Sequence, residues 1–214
     1  MQNLPQIENR LKEKLRAGIN IYRQISCPLP QPLLDFIQQK LPDIKASHAA
    51  DLPPSFANSR RLYKSFHIDP IKHRPSSEAL WRRLRDRNDF PDVNPVVNLT
   101  NLLSLKFQIC YGLYDLARVH GDIVIILGEK NDCYQGIRKE TLNFQGKIVL
   151  RDAQGAFGNP SADSLRASVN ESSRDIMQVL FFHPSDYLKE KILDETQAMY
   201  RQFFSIGEVQ SFFI

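Results

Sequence analysis

Cysteine is scarce in this sequence, and the cysteines that occur are not spaced as pairs. Cys27, Cys110 and Cys133 are odd in number and form no C-x-x-C motif. Disulfide-stabilised secreted domains and structural zinc sites both need paired cysteines. The sequence therefore supports neither, and it predicts three thiols in the core.

Long apolar runs are also missing. The longest purely aliphatic run is Ile123–Leu127, whereas a membrane-spanning helix needs about 20 apolar residues. Acidic and basic residues interrupt the N-terminal segment MQNLPQIENRLKEKLRAG before an apolar signal sequence could form. We therefore expect a cytoplasmic protein with no membrane partner.

The sequence contains none of the common catalytic motifs. H-E-x-x-H, G-x-S-x-G, the Walker loop and G-x-G-x-x-G do not occur. The five histidines never fall at metal-ligand spacing: His48, His67, His73, His120 and His183. We expect no metal and no cofactor, and hydrolysis by an obvious triad is disfavoured.

Positive charge is concentrated in one segment of the chain. Residues 60–87 carry nine basic and three acidic side chains, although the net charge of all 214 residues is only +4. Clustered cations favour a phosphate-bearing partner, and a solvated helix face is the alternative. The candidate contacts for such a partner are Arg60, Arg61, Lys64, Arg74, Arg82, Arg83 and Arg85.

The first 60 residues have the pattern of an extension packed on a main body at 61–214. Residues 18–26 alternate as a strand does, and a proline cluster separates them from a helix at 33–41. A second helix is predicted at 55–66, where Phe56, Leu62 and Phe66 have helical spacing.

Helices precede strands in the main body. Ser76 is predicted to cap a helix that contains Leu80 and Leu84, and a further helix is predicted at 96–107. Short strands follow from Asp122, a central strand is predicted at 176–182, and a last helix is predicted to begin at Pro184. This order favours the α+β class.

Several phrases in a fixed order suggest a known family. They are YKSFHIDPIKHRPSSEALWRR, NPVVNLTNLLSLKFQ, GLYDLARVHGDIV and GAFGNPSADS, followed by VNESSRD. Together they resemble the B3/B4 editing domain of the bacterial phenylalanyl-tRNA synthetase β subunit, as a freestanding protein, over about residues 62–184. The resemblance implies a mixed, largely antiparallel sheet flanked by helices. It also implies tRNA or another structured RNA as partner rather than DNA, which makes the basic side chains of residues 60–87 candidate RNA contacts.

The same resemblance implies a substrate pocket. That editing domain hydrolyses tyrosine wrongly attached to the phenylalanine tRNA. Thr100 and Asn101 match its motif, whereas Asn98 replaces an aspartate and Gly112 replaces a functional histidine. The family's substrate-contacting glutamate falls on Gln178 or its neighbour. The predicted pocket residues are Thr100, Asn101, Gly112, Tyr114, Gly155, Phe157, Gly158, Ser172, Ser173 and Gln178.

Loss of the histidine and the glutamate implies that tyrosine specificity is not inherited and that Gly112 leaves room for a different ligand. Thr100, Asn101, Ser172 and Ser173 are candidate donors to a developing oxyanion, or else ordinary structural polar residues. The catalytic residue is not identified. Three functions follow: a trans-acting hydrolase of mischarged aminoacyl-tRNA, a noncatalytic RNA-binding module, or a binder of a free amino acid or small metabolite.

Overall fold

The computed structural model describes residues 4–50, 56–137 and 140–214, and this part of the chain confirms the α+β class. The helices are α1 (Pro30–Ala50), α2 (Ala57–Ser65), α3 (Ser76–Arg87), α4 (Pro95–Phe107) and α5 (Lys189–Phe203). The strands are β1 (Ile7–Asn9), β2 (Arg16–Arg23), β3 (Cys110–Asp115), β4 (Ile123–Leu127), β5 (Cys133–Gln135), β6 (Thr141–Asn143), β7 (Ile148–Asp152), β8 (Gly155–Gly158), β9 (Ile176–Phe182) and β10 (Glu208–Phe213). A 3-10 turn, Leu116–Arg118, follows β3.

Two four-stranded sheets form the frame of the described residues. The first has the order β10-β2-β9-β3, and all of its neighbouring strands are antiparallel. The second has the order β1-β4-β7-β8, in which only β1 and β4 run parallel. β5 and β6 form a separate antiparallel pair. The expected mixed, largely antiparallel pairing is therefore confirmed, although it is divided between two four-stranded sheets and this pair.

β9 lies in the centre of the first sheet, as its continuous apolar run predicted. All seven of its residues are buried. On one side Gln178 lies opposite Asn20 of β2, and on the other it lies opposite Leu113 of β3. A strand covered on both faces has no need for alternating polar residues, which explains the pattern.

The first sheet extends across the boundary that we predicted at residue 60. β2 lies between β9 and β10, and its six inner residues are all buried. Residues 16–23 therefore belong to the central sheet of the main body as well as to the N-terminal segment.

Two apolar clusters pack against the sheets. One joins α1, α3, α4 and α5 to the first sheet and contains Trp81, the only tryptophan of the chain. The other lies between the two sheets and contains Leu62 and Tyr63 of α2. The apolar stripes of the helices therefore face inward, as their helical spacing predicted.

Two helix starts differ from the prediction. α1 begins within the proline cluster, because Pro30 and Pro32 occupy the first turn, where a missing N–H has no intrahelical acceptor to lose. α5 begins at Lys189 instead of Pro184, because the preceding residues form a turn in which the Asp186 carboxylate accepts a hydrogen bond from His183 N at 2.9 Å.

The predicted cap of α3 is also absent. The residue before the helix is Pro75, and no side chain caps the helix, so Ser76 is its first helical residue. The Ser76 hydroxyl is free for another role. Among the described helices, none is long and apolar enough to cross a membrane.

Candidate functional site

A cavity of about 180 Å³ lies between α3, α4, β3 and the segment 159–163 that follows β8. Its walls combine small polar side chains with a few apolar ones. The lining residues are Ser76, Leu80, Thr100, Asn101, Ser104, Tyr111, Asn159, Ser161, Ala162 and Asp163.

α4 brings Thr100 and Asn101 to this cavity. Asn94 caps the helix, since its Oδ1 accepts a hydrogen bond from Val97 N at 3.0 Å, and Pro95 occupies the first turn. Asn98, one turn further, ties down the preceding segment by accepting from Val93 N at 2.9 Å. The helix start is therefore rigidly specified.

Thr100 lines the cavity, but its hydroxyl is already engaged inside the core. Thr100 Oγ1 lies 2.5 Å from the Tyr200 hydroxyl and donates to Val96 O at 3.0 Å. It also accepts a hydrogen bond from Gln178 Nε2 at 3.3 Å. Gln178 is fully buried and accepts from Asn20 Nδ2 at 3.1 Å, so it belongs to this core network and does not line the cavity.

Three polar side chains of the cavity are uncommitted. Ser76 Oγ and Asp163 Oδ1 are buried and have no hydrogen-bond partner among the described residues. Asn101 lines the cavity, is partly exposed, and makes no side-chain hydrogen bond within the described chain. Asp163 Oδ2 accepts one hydrogen bond, from Leu113 N at 3.3 Å. These groups can accept contacts from a ligand.

Burial raises the pKa of the Asp163 carboxyl to about 7, although the nearby Tyr114 hydroxyl and Leu113 N–H act in the opposite direction. Removing a carboxylate from water disfavours its charged form. Asp163 therefore changes charge near neutral pH, which is typical of groups at functional sites.

Tyr114 occupies the room that we predicted beside Gly112. Its side chain is fully buried, and a Cβ built on either Gly112 or Gly158 would collide with its ring and hydroxyl. Phe157 packs against the same ring edge-to-face at 5.1 Å. A tyrosine from the same strand thus fills the space, and no open room results at Gly112.

The other predicted pocket residues lie outside the cavity lining. Gly155 adopts φ +110° in the tight β7–β8 turn, which favours glycine. The Ser173 hydroxyl donates to Asp115 Oδ2 at 2.7 Å, and the exposed Ser172 bonds to Asn170 Oδ1 at 2.6 Å. Both serines stabilise a turn.

The predicted RNA-binding arginines are largely paired with carboxylates. Glu78, which is almost fully buried, accepts two hydrogen bonds from Arg60 at 2.7 and 2.8 Å and two from Arg82 at 3.2 and 3.3 Å. Arg74 lies 4.0 Å from the same carboxylate. We call these four side chains the Glu78 cluster. Its three guanidinium groups remain partly exposed, so it presents positive charge to solvent.

The remaining predicted RNA contacts lie around α2 and α3. Arg61 Nη1 lies 3.5 Å from Asp186, Arg83 Nε 2.7 Å from Asp89, and Arg85 Nε 2.6 Å from Asp86. Lys64 is exposed and forms no ion pair with the described residues.

Arg83 and Arg87 share a face of α3 with the cavity. They follow Ser76 and Leu80 by seven residues each, which is about two helical turns and about 10 Å along the axis. Arg82 and Glu78, in contrast, point to a different side of the helix. Arg87 was not among our predicted contacts, but this geometry makes it a candidate.

Sequence reasoning identified Thr100 and Asn101 but missed the other cavity residues. Ser76 was interpreted as a helix cap, and Asp163 was not identified at all, although it follows the paired glycines in the phrase GAFGNPSADS. An acid in a small-residue loop after a glycine turn was the available signal. Among the described residues, no cluster of three or more His, Cys, Asp or Glu side chains could hold a metal ion.

Comparison with known proteins relates the chain to one domain family and to solved structures. The sequence model of the B3/4 domain matches residues 58–201. Among solved structures, an N-terminal fragment of the phenylalanyl-tRNA synthetase β subunit from Pyrococcus horikoshii is similar to this chain, with a TM-score of 0.47 and 11% sequence identity. That alignment covers 96% of this chain and 50% of the fragment, so the chain spans about half of the fragment's length. No curated protein matches. Because the domain model spans more than half of the chain, the chain belongs to the B3/4 domain family.

Proposed function

We propose that this protein binds tRNA and that its cavity receives the aminoacyl group at the 3′ end for hydrolysis. The observation that carries the proposal is the cavity itself, in which Ser76 Oγ and Asp163 Oδ1 are buried without partners. Unpaired buried polar groups are rare in native proteins because each one is costly. A cavity that retains two of them is suited to a polar ligand.

The resemblance to an editing domain supports an ester as that ligand. Hydrolysis of an activated ester requires a positioned water and a donor for the developing oxyanion. The Asn101 amide is a partly exposed side-chain donor in the cavity wall that makes no hydrogen bond within the described chain. It is our candidate for the oxyanion contact.

Charge on α3 supports RNA as the carrier of the ester. Arg83 and Arg87 continue the helix face that Ser76 and Leu80 present to the cavity. Cations about 10 Å from a bound acyl group are placed to contact backbone phosphates near the same 3′ end. Such contacts bind without regard to sequence.

A deacylation panel tests the proposed hydrolysis. Purified protein is added to tRNAs that carry noncognate amino acids, and release of the amino acid is followed against buffer alone. We expect faster release for at least one pair, and a lower rate for Asn101→Ala with unchanged tRNA affinity. Rates equal to buffer across the panel would reject hydrolysis.

Salt-dependent tRNA binding tests the proposed interface. Each cation that contacts a phosphate contributes about 0.9 to the slope of log affinity against log salt. We therefore expect Arg83→Glu with Arg87→Glu to weaken binding and to reduce that slope by about 2. The matched control is Lys12→Glu with Lys191→Glu, which changes the net charge equally at exposed positions outside α3. Equal effects of the two pairs would contradict the interface.

A noncatalytic RNA-binding role is the second candidate. The Glu78 cluster favours it, because three partly exposed guanidinium groups surround a single carboxylate and leave local positive charge. This function needs no ligand in the cavity. It is supported if tRNA binds, Arg60→Glu with Arg82→Glu weakens that binding, and no ester is released.

A further inference from the structure

The uncommitted groups of the cavity differ from the rest of its polar lining. Ser104 Oγ donates to Ile109 O at 2.8 Å, and Asn159 Nδ2 donates to Ile148 O at 2.5 Å. Ser161 Oγ lies 2.5 Å from the Tyr63 hydroxyl. Only the α3 start and the 159–163 segment supply buried polar atoms to this cavity without a described partner, through Ser76 and Asp163. The chemistry of the ligand therefore depends on these two groups.

Asp163 lacks a counterion in the described chain. Titratable groups from two neighbouring strands act on it, and both are phenols: Tyr114 of β3 and Tyr134 of β5. Burial holds the pKa of each phenol well above its ordinary value, so both are neutral and can supply no positive charge. A cationic donor in the cavity would provide the missing partner for the carboxylate.

The size of the cavity limits what else the ligand contains. An apolar cavity of about 150 Å³ admits benzene, so about 180 Å³ holds a group only slightly larger. An aromatic ring would take up most of this volume, which favours a smaller group beside Asp163. Walls formed mainly by hydroxyl, amide and carboxyl groups also favour a polar ligand over an aromatic one.

We propose that the cavity binds an α-aminoacyl group with a small polar side chain and that Asp163 and Ser76 hold its ammonium group. The Asp163 carboxylate accepts from the ammonium, and the Ser76 hydroxyl supplies a second acceptor. The partly exposed Asn101 then faces the carbonyl end of the acyl group. The inference rests on the proposed function for the ester that joins this group to RNA, but amino acid recognition can be measured separately.

L-Serinamide tests the proposal, because it carries an ammonium group, a small polar side chain and an uncharged carbonyl end. N-Acetyl-L-serinamide is the matched ligand without the charge. By calorimetry at pH 7.5 we expect serinamide to bind about tenfold or more tightly than either its acetylated form or phenylalaninamide. Equal binding of serinamide and its acetylated form, or no binding of serinamide, would overturn the proposal.

Two variants identify the residues. Asp163→Asn keeps the shape and removes the charge, and we expect it to weaken serinamide binding about tenfold or more. Ser76→Ala should weaken it less, because a neutral contact is lost. Ser172→Ala is the control and should not change it, since that hydroxyl lies on an exposed turn. Unchanged binding by Asp163→Asn would refute the role of the carboxylate.

The wild-type protein provides a measurement that needs no variant. The carboxylate form of Asp163 increases as pH rises through about 7. Serinamide binding should therefore strengthen from pH 5.5 to 7.5 and weaken once its amine loses the proton, at about pH 8. A flat profile between pH 5.5 and 7.5 would contradict the ammonium–carboxylate contact.

The results separate this inference from the proposed function. If serinamide binds as expected while no aminoacyl-tRNA is deacylated, amino acid recognition stands and hydrolysis falls. If Asp163→Asn stops deacylation but leaves serinamide binding unchanged, the carboxylate does not hold the ammonium group, and the ligand assignment falls.

Discussion

The Tyr114 side chain fills the space beside Gly112 and Gly158. In the absence of a Cβ at Gly112 and Gly158, the tyrosine ring packs against both backbones and against Phe157. Glycine serves here for the close approach of a side chain of the protein itself, not of a ligand. This packing places the Tyr114 hydroxyl beside Asp163 without a hydrogen bond of good geometry to any described residue.

Removing the Tyr114 hydroxyl should cost little stability. Since this buried hydroxyl makes no hydrogen bond of good geometry and has only Asp163 beside it, we expect Tyr114→Phe to leave the free energy of unfolding unchanged or to raise it by up to about 1 kcal/mol. Urea unfolding of the purified proteins measures the change.

Tyr200→Phe is the matched control. The Tyr200 hydroxyl is equally buried but bonds to Thr100 and to Val96 O, so its removal should lower the free energy of unfolding by about 1–2 kcal/mol. Equal losses for the two variants would mean that Tyr114 has a partner in solution.

At the scale of elements, the Glu78 cluster holds α2 against α3. Burial alone would raise the pKa of Glu78, but hydrogen bonds from Arg60 and Arg82 outweigh burial and lower it. The Glu78 carboxylate is nearly inaccessible to solvent, whereas the partly exposed arginines can bind water when the ion pair is broken. The stability of the cluster therefore depends most on Arg60, which makes the shortest hydrogen bonds to Glu78.

Arg60→Ala should destabilise the protein more than Arg82→Ala. The first removes two hydrogen bonds of 2.7 and 2.8 Å and should lower the free energy of unfolding by about 1–2 kcal/mol at pH 7, since Arg60 is partly exposed. The second removes longer contacts and should cost less than about 1 kcal/mol.

The pH dependence of the Arg60→Ala effect follows from the lowered pKa of Glu78. A carboxyl whose pKa is lower in the folded state stabilises that state at pH values above its unfolded-state pKa. This stabilisation is lost as the pH falls through the folded-state pKa. The difference in the free energy of unfolding between wild type and Arg60→Ala should therefore be largest at pH 7 and decrease toward pH 3. A difference that is constant over this range would show that Arg60 stabilises the protein by packing alone.

At the scale of the whole molecule, the first sheet joins distant parts of the chain. Asn20 pairs with Gln178 across β2 and β9, and β10 closes the other side of β2. The B3/4 match begins at residue 58, after β2 and α1. The matched segment therefore lacks β2 and β10, two of the four strands of the first sheet.

A fragment of residues 61–214 should consequently fail to fold. Without β2, the edge of β9 and the buried apolar residues of β2's neighbours are exposed to water. We expect no near-ultraviolet circular dichroism and poor dispersion of amide proton signals, whereas residues 4–214 should retain both. A cooperative unfolding transition in the shorter fragment would support an independent domain with its boundary near residue 60.

The sequence predicted the positions of helices and strands better than the contacts between them. Helical spacing located the start of α3 and both ends of α4 within one residue, and the continuous apolar run located β9, because these signals involve neighbouring residues. The pairing of β2 with β9 and the meeting of Ser76, Asn101 and Asp163 depend on contacts between segments far apart in the sequence. A single sequence carries no local signal for such contacts.

Trp81 makes events at the cavity visible by fluorescence. It is the only tryptophan, it is buried in the α1–α3–α4–α5 cluster, and it follows the cavity residue Leu80 directly. Its emission comes from a single environment, so the intensity and wavelength can be assigned without labelling or mutation. A ligand that shifts α3 would alter that signal, and stopped-flow mixing would then give association and dissociation rates for the native protein.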